Sequence, residues 1–133
     1  MPEEPEAGGF RRATPVLKTG DYPAARAFYT AVLGFRVAEE GGSPPRFGIL
    51  ERERAVVFLD GWNGPPPPSE GWASYFHVAD ADAACRAFQA TGAVIARPPR
   101  DTVYGMRAFE LEDPDGNRLC FGAAAPGTAS PQQ

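Results

Sequence analysis

The sequence has few of the residues that build disulfides or metal sites. Among its 133 residues are two cysteines, Cys85 and Cys120, and one histidine, His77. Two cysteines are too few for a disulfide framework, and a free cysteine usually behaves as a small buried apolar residue. We therefore predict that both are buried thiols, and we expect the protein to work in a reducing cytoplasm.

Long apolar segments and a surplus of basic residues are also missing. No apolar run approaches the roughly 18 residues of a membrane span, and no basic segment precedes an apolar one, so we expect neither a span nor a secretory signal. The chain has 13 Lys and Arg against 17 Asp and Glu, for a net charge of -4. Because phosphate binding needs a clustered basic face, we expect no nucleic-acid partner. This acidity mildly favours a cationic small molecule.

What the chain does contain is enough apolar material for one domain and a clear hairpin near its end. Hydrophobic residues make up 43% of the chain and aromatic residues 11%. Residues 113–121 read DPDGNRLCF, in which Asp-Pro followed by Asp-Gly is turn chemistry between two apolar runs. Alternation on the two arms predicts an apolar face made of Phe109, Leu111, Leu119 and Phe121, and an opposite face made of Glu110, Arg118 and Cys120.

A pattern of strand, helix and three strands occurs twice. Residues 24–28 read AARAF and residues 84–88 read ACRAF, at the same place in each copy. We predict module one at 13–62 and module two at 72–122, with a stiff proline-rich joint at 61–71 and disordered tails at 1–12 and 123–133. One helix covers only one face of four strands. The expected fold is therefore α+β, with two βαβββ modules whose curved mixed sheets surround a cleft and whose helices lie outside.

Five motifs in this order resemble the vicinal oxygen chelate superfamily, which contains glyoxalases, dioxygenases and bleomycin-resistance proteins. The resemblance covers about residues 13–122. It rests on residues 14–17 (TPVL) leading to Asp21, residues 27–29 (AFY), residues 32–35 (VLGF), residues 78–83 (VADADA) and residues 113–117 (DPDGN). It implies the paired βαβββ fold, and it says less about activity because one fold hosts many functions.

The resemblance also implies where a metal would be held in the enzymes of this superfamily. Those positions correspond to Thr14, Phe58, Ala73 and Cys120, and none of them is a histidine or a carboxylate. A site for a divalent ion needs at least three converging ligands. We therefore expect no metal and no cofactor, as in the metal-free bleomycin-resistance branch, whose members hold a drug in an aromatic cleft without chemistry and form homodimers.

Strand alternation and the resemblance together give a set of candidate ligand-binding residues. Tyr75 and His77 face the cleft if Phe76 and Val78 pack under the helix. Trp62 beside Asp60 suits a cationic or aromatic ligand. The full predicted set is Thr14, Phe47, Phe58, Asp60, Trp62, Tyr75, His77, Tyr104 and Cys120, with no catalytic residue.

Several of these candidates also have a simpler structural role open to them, and for His77 it is that of a polar wall of the cleft. Tyr75 also suits a position in the core. Trp62 could instead cover the joint or form a dimer contact. Phe47 and Tyr104 could instead cap the core. Trp72 is interpreted as a structural residue. Glu110 and Lys18 are interpreted as charges that are solvated or lie at the rim of the cleft.

The resulting hypothesis is metal-independent binding and sequestration of a small amphipathic or cationic aromatic molecule by a homodimer. The alternative is an enzyme of the same superfamily, a lyase or isomerase that uses His77 as an acid or base. Further alternatives are a nucleophilic Cys120 beside Arg118, a divalent-metal enzyme whose ligands lie elsewhere, and a scaffold or regulatory partner that binds no ligand.

Overall fold

The computed structural model describes residues 8–68 and 70–125. Module one contains β1 (Val16–Lys18), α1 (Tyr22–Ala27) continued by a π-helical turn (Phe28–Val32), β2 (Arg36–Gly41), β3 (Phe47–Arg52) and β4 (Ala55–Asp60). Module two contains β5 (Ser74–His77), α2 (Ala81–Ala90), β6 (Ile95–Asp101), β7 (Met106–Glu112) and β8 (Arg118–Ala124).

The last strand, β8, continues to Ala124, two residues past the predicted module boundary at 122. Main-chain pairing with β7 extends to the Met106–Ala124 pair, and the Ala125 amide donates to the Gly105 carbonyl at 3.0 Å. The rest of the predicted C-terminal tail, and residues 1–7 of the N-terminal one, lie outside the described residues.

The helices begin and end where the sequence predicts. The Asp21 carboxylate accepts the Ala24 amide at 3.1 Å, and the Asp80 carboxylate accepts the Ala83 amide at 3.0 Å, so each caps a helix N-terminus. Gly34 and Gly92 follow the helical segments with φ of 76° and 109°, a conformation that favours glycine at a helix end.

Each module forms one open sheet of four strands with the same strand order. The orders are β1-β4-β3-β2 and β5-β8-β7-β6, and in each sheet the first strand is parallel to its neighbour while the other pairs are antiparallel. The α+β prediction of two repeated strand–helix–three-strand modules is confirmed.

The sides of the sheets that carry the helices join the two modules. Phe35 of module one and Phe76 of module two pack with ring centroids 6.2 Å apart, within one core that contains residues of both modules. The Tyr29 hydroxyl donates to Asp113 Oδ2 at 2.7 Å. The opposite side of each sheet is left uncovered by its own helix, and we call these the open face of module one and the open face of module two.

The hairpin of β7 and β8 is formed as expected. Phe109 pairs with Phe121 and Leu111 with Leu119, and all four are buried in the core. Their alternation places Glu110 and its partner Cys120 on the open face of module two. In the part of the chain that the structure describes, no helix is long and apolar enough to cross a membrane.

Candidate functional site

Three aromatic rings cover part of the open face of module one. Val57 and Leu59 of β4 are fully buried in the core, so Phe58 between them points to the open face. The Phe47 ring stacks on Trp62 with centroids 4.9 Å apart and 8° between planes, and it meets Phe58 edge-on at 5.4 Å. Trp62 remains 49% exposed. These three residues form a surface that suits a flat apolar ligand.

Asp60 holds the turn that carries Trp62. Its Oδ1 accepts the Trp62 amide at 2.9 Å, and its Oδ2 accepts the Asn63 side-chain amide at 2.7 Å. The hydrogen bond from Asn63 is the main cause that lowers the pKa of Asp60, and nearby Lys18 acts in the same direction. Asp60 is therefore ionised at neutral pH, and it fixes the turn from which the Trp62 ring stacks on Phe47.

A second aromatic group lies on the open face of module two. Phe76 packs in the core, so Tyr75 and His77 point to the other side of β5. The Tyr75 ring lies 5.0 Å from that of Trp72 and 5.1 Å from that of His77. Trp72 and Tyr104 remain 46% and 55% exposed. Tyr75 and His77 therefore lie side by side on the open face of module two.

The Tyr75 hydroxyl is buried over the backbone of β8. A Cβ added at Gly122 would collide with this hydroxyl, so glycine is what lets the phenol lie flat on the strand. The hydroxyl has no hydrogen-bond partner among the described residues. Burial raises the pKa of Tyr75, and the nearby Cys120 and Tyr104 act in the same direction. Tyr75 is therefore a neutral donor that lacks an acceptor.

Glu110 is buried, so the interpretation of it as a solvated or rim charge is wrong. Its side chain is 4% exposed and lies among three arginines. Arg118 donates to its Oε1 at 2.8 Å, and the Trp72 indole donates to its Oε2 at 3.1 Å. Burial acts to raise the pKa of Glu110, but the Arg118 and Trp72 hydrogen bonds and the charge of Arg97 outweigh it, and the pKa is lowered.

Cys120 is a buried free thiol, and so is Cys85, as predicted. Burial and the nearby Glu110 raise the pKa of Cys120 to about 11, against a smaller opposite effect of Arg100 and Arg97. A thiol with this pKa is protonated at neutral pH and is a poor nucleophile. Cys120 is fully buried and therefore packs beneath the other side chains of module two instead of presenting a surface to a ligand.

The residues at the four inferred metal positions do not fit a metal ion. Thr14 and Phe58 offer a hydroxyl and a phenyl ring, Ala73 offers a methyl group, and Cys120 offers a protonated thiol. No group of three His, Cys, Asp or Glu side chains within residues 8–68 and 70–125 is placed to hold an ion. Divalent metals are bound by imidazole, carboxylate or thiolate ligands, and this donor set supplies none of them at neutral pH.

The predicted site residues fall into two groups, and no ring contact between described residues joins them. Phe47, Phe58, Asp60 and Trp62 lie together on module one, and Thr14 precedes β1, whose Val16 pairs with Phe58. Tyr75, His77, Tyr104 and Cys120 belong to module two. The predicted set does not include Arg97 and Arg100, and it gave Trp72 and Glu110 other roles, although all four meet on module two.

A separate groove lies between α2 and β6, away from both open faces. Its volume is about 470 Å³, and it contains none of the predicted site residues. Its lining residues are Asp82, Cys85, Arg86, Gln89, Ile95, Pro98 and Pro99.

The chain is 34% identical over 123 residues to the anthracycline biosynthesis protein DauV of Streptomyces sp. (strain C5). The aligned region covers 85% of this chain and 44% of that protein. The chain thus spans less than half the length of this curated relative.

Two solved structures share the fold. One is TnmS3, an antibiotic binding protein from Streptomyces sp. CB03234, with a TM-score of 0.68 at 24% identity over 86% of this chain and 98% of that one. The other is the bleomycin-binding protein of Streptomyces verticillus complexed with copper(II)-bleomycin, with a TM-score of 0.67 at 23% identity over 87% of this chain and 98% of that one.

A family model matches residues 12–121, which is most of the chain. The match spans both modules, from the residues before β1 into the last strand. The chain therefore belongs to the Glyoxalase/Bleomycin resistance protein/Dioxygenase superfamily.

Proposed function

We propose that this protein binds and sequesters a small amphipathic aromatic molecule without a metal and without changing it chemically. The observation that carries the proposal is the pair of ring-bearing open faces, with Phe47, Phe58 and Trp62 on one and Trp72 and Tyr75 on the other. Exposed aromatic rings on a rigid sheet supply a large contact area for a planar ligand at little entropic cost.

The relatives support a ligand of the antibiotic type. TnmS3 is described as an antibiotic binding protein and the Streptomyces verticillus protein as a bleomycin-binding protein, while DauV is described as an anthracycline biosynthesis protein. Two of these descriptions name a bound small molecule, an antibiotic or bleomycin, and the third names the biosynthesis of anthracyclines. The ring faces of this chain suit the same broad class.

The proposal includes no chemistry that depends on a metal or on a thiolate, because the residues at those positions are unfit for it. The inferred metal positions carry no suitable ligand, and Cys120, with a pKa of about 11, is protonated. The proposed ligand can also carry a positive charge. A cation placed over the exposed Trp62 indole would contribute about 0.5 to 2 kcal/mol to the free energy of binding.

We propose further that the binding unit is a homodimer in the cytoplasm. Within one chain the helix sides of the sheets join the modules, and each open face leaves large apolar groups exposed, such as Trp62 and Trp72. A second copy that brings module one of one chain opposite module two of the other would form a cleft between two ring faces. Sedimentation equilibrium at micromolar concentration should give twice the mass of 14.2 kDa.

The alternative function is an enzyme, and one observation favours it. His77 is exposed beside Tyr75 on the open face of module two, where an imidazole could exchange a proton with a bound substrate. Two results would favour this alternative: a stoichiometric divalent ion in protein purified without chelator, or a His77→Ala variant that binds fully and loses turnover.

Intrinsic fluorescence tests the binding proposal directly, because the chain has two tryptophans and each lies on a different face. Chelator-treated protein is titrated with a panel of antibiotics and planar aromatic compounds. Trp62→Phe leaves Trp72 as the reporter, and Trp72→Phe leaves Trp62. We expect saturable quenching in both variants by the same compound. Absence of any saturable response across the panel would contradict the proposal.

A further inference from the structure

The two modules differ in how the helix is tied to the strand that follows it. In module one, Arg26 Nε donates to Glu40 Oε2 at 2.6 Å, and the Tyr22 hydroxyl donates to the same oxygen at 2.8 Å. Tyr22 is 4% exposed, so its ring fills the space between α1 and β2. A strand carboxylate and a helix arginine therefore close this side of module one.

Module two repeats the arginine of this arrangement without a partner for it. Arg86 occupies the same place in residues 84–88 (ACRAF) as Arg26 does in residues 24–28 (AARAF). Arg86 is exposed, and within residues 8–68 and 70–125 its side chain makes no hydrogen bond or ion pair. Arg86 therefore lacks a counterpart of Glu40.

The residue of module two that corresponds to Glu40 is a proline. Each of the edge strands β2 and β6 has a register irregularity directly after a residue that packs on the core, Val37 in β2 and Ile95 in β6. The third residue after that point is Glu40 in one strand and Pro98 in the other. A proline side chain carries neither a charge nor a hydrogen-bonding group. The strand side of the ion pair is therefore missing in module two.

The groove between α2 and β6 lies at this place. Its volume of about 470 Å³ falls within the range of about 300 to 1,000 Å³ that is typical of small-molecule sites. Arg86 and Gln89 line it, are exposed and stand three residues apart on α2, hence on one helix face. Its apolar lining residues are Cys85, Ile95, Pro98 and Pro99. An unpaired arginine beside an apolar groove fits a ligand that supplies both a carboxylate and an apolar part.

We propose that the groove between α2 and β6 binds a small organic acid with an apolar body, through an ion pair between its carboxylate and Arg86. The carboxylate takes the place that Glu40 holds beside Arg26 in module one. The side-chain amide of Gln89 donates to its second oxygen, and the apolar body lies against Ile95 and the two prolines. Because this groove is separate from both open faces, the inference does not depend on the proposed function.

One acidic side chain, Asp82, also lines the groove. Its Oδ2 accepts from Arg107 Nε at 2.8 Å and its Oδ1 from Arg107 Nη2 at 3.2 Å, so both oxygens are engaged and Arg86 stays available. Arg107 is shared with Asp101 at 3.2 Å, so it does not cancel the field of Asp82 completely. We therefore expect the preference for an acid to be modest.

Amide NMR of the 14.2 kDa chain tests the inference, with 4-phenylbutyrate and 4-phenylbutyramide as a matched pair of probes. The two compounds have the same carbon skeleton, but only the first is charged at pH 7.5. We expect both to shift the amide signals of α2 and β6, and the acid to bind about fivefold more tightly, the gain expected for one solvent-exposed ion pair. A capped leucine–glutamate–leucine tripeptide, which offers the same carboxylate on a peptide chain, should bind more weakly than the acid.

Substitutions assign the preference to Arg86 and to the missing carboxylate. Arg86→Gln should bring the affinity ratio of acid to amide close to one. Pro98→Glu supplies a carboxylate at the position that corresponds to Glu40, and it should also remove the preference because the new side chain pairs with Arg86. Pro98→Gln is its uncharged control and should keep the ratio, as should Arg54→Gln, which removes an exposed arginine in the turn between β3 and β4. Since Arg86 is exposed, Arg86→Gln should keep the fold and decides the test even if a Pro98 variant is unstable.

The outcomes decide for or against this site. Loss of the preference in Arg86→Gln and Pro98→Glu, with retention in both controls, supports the inference. Four results would overturn it: equal binding of acid and amide, signal shifts confined to the open faces, an acid preference that survives Arg86→Gln, or tighter binding of the tripeptide than of the acid. None of these results contradicts the proposed function, which the antibiotic titration tests separately.

Discussion

The two modules share a strand order but differ in what they hold on their open faces. Module one presents the Phe47 ring packed against Phe58 and Trp62, and Asp60 beside these rings is engaged in a turn. Module two presents Tyr75 over a glycine beside a buried carboxylate and three arginines. Alternation in the strands determines only which residues face outward and not what those residues are. The same scaffold can therefore carry an apolar surface in module one and a charged one in module two.

The hairpin turns also differ between the modules, and substitutions in them should give the largest difference in the free energy of unfolding. Asp113 in the β7–β8 turn accepts hydrogen bonds from the Tyr29 hydroxyl, two backbone amides and the Asn117 side chain, whereas Arg54 in the β3–β4 turn is exposed. Asp113→Ala should lower the free energy of unfolding by about 3 kcal/mol or more. Arg54→Ala should change it by less than about 0.5 kcal/mol. Urea denaturation compares the two, and equal losses would contradict the difference.

Two glycines lie under tyrosine side chains: Gly48 on the core side of its sheet and Gly122 on the open face of module two. Alanine at the first position should mainly lower stability, and alanine at the second should mainly weaken ligand binding. An added methyl group at Gly48 meets the Tyr22 hydroxyl, which is buried and bound to Glu40, and the Leu50 side chain. Gly48→Ala should therefore cost about 1 to 3 kcal/mol of stability. At Gly122 the methyl group meets the unpartnered Tyr75 hydroxyl, which can move outward.

Gly122→Ala should consequently cost less stability than Gly48→Ala and should weaken ligand binding more. Thermal unfolding and fluorescence titration of both variants check this order. A Gly122→Ala variant that unfolds earlier than Gly48→Ala and keeps full affinity would show that Tyr75 belongs to the core.

The charged cluster of module two should make part of the stability depend on pH. Glu110 has a pKa below its usual value of 4.5 in the folded protein, so its contribution is present above that value and is lost as pH falls through the lower folded pKa. Glu110→Gln should lower the free energy of unfolding by about 1 to 2 kcal/mol at pH 7. The deficit should shrink as pH falls from about 5 towards 3, because a glutamate in the unfolded chain has a pKa of about 4.3 and becomes protonated over this range.

Urea titrations of wild type and Glu110→Gln at several pH values measure this deficit. Glu112→Gln is the control, because Glu112 is exposed and paired with Arg118 alone, and its effect should be smaller. A deficit that does not change between pH 7 and pH 3 would mean that the ion pairs of Glu110 contribute nothing to stability.

The ring surface of module one should show the smallest effect on stability and a clear one on binding. Trp62 is 49% exposed and packs mainly on Phe47, so Trp62→Ala should cost less than about 1 kcal/mol of stability. Loss of an exposed aromatic partner should weaken the binding of a planar ligand about tenfold. Val103→Ala, at an exposed apolar position, is the control and should leave the affinity unchanged.

Local chemistry predicted most of the fold from the sequence. Asp21 and Asp80 cap helices because a short carboxylate before a helical run can accept the free amides, and residues 113–117 form the hairpin turn because proline and glycine fix its backbone. Alternation correctly placed Phe109 in the core and Tyr75 opposite to it. These features depend on neighbours within a few residues.

The charged cluster of module two could not be predicted in the same way. Arg97 and Glu110 are 13 positions apart in the sequence, and they meet because β6 pairs with β7 through two register irregularities. Nothing within either segment signals that pairing. Glu110 alternates with core residues, a pattern equally typical of a solvated strand face, so its burial depends on long-range register and on the three arginines that reach it.

The most direct test of the whole account is a mass balance on a bound compound. Chelator-treated protein is saturated with the tightest binder from the antibiotic panel and incubated for several hours, and the compound is then extracted and measured by mass spectrometry. The account predicts stoichiometric recovery of the compound with its mass unchanged, whether or not divalent metal is added. A product of different mass, or binding that appears only with added metal, would contradict it.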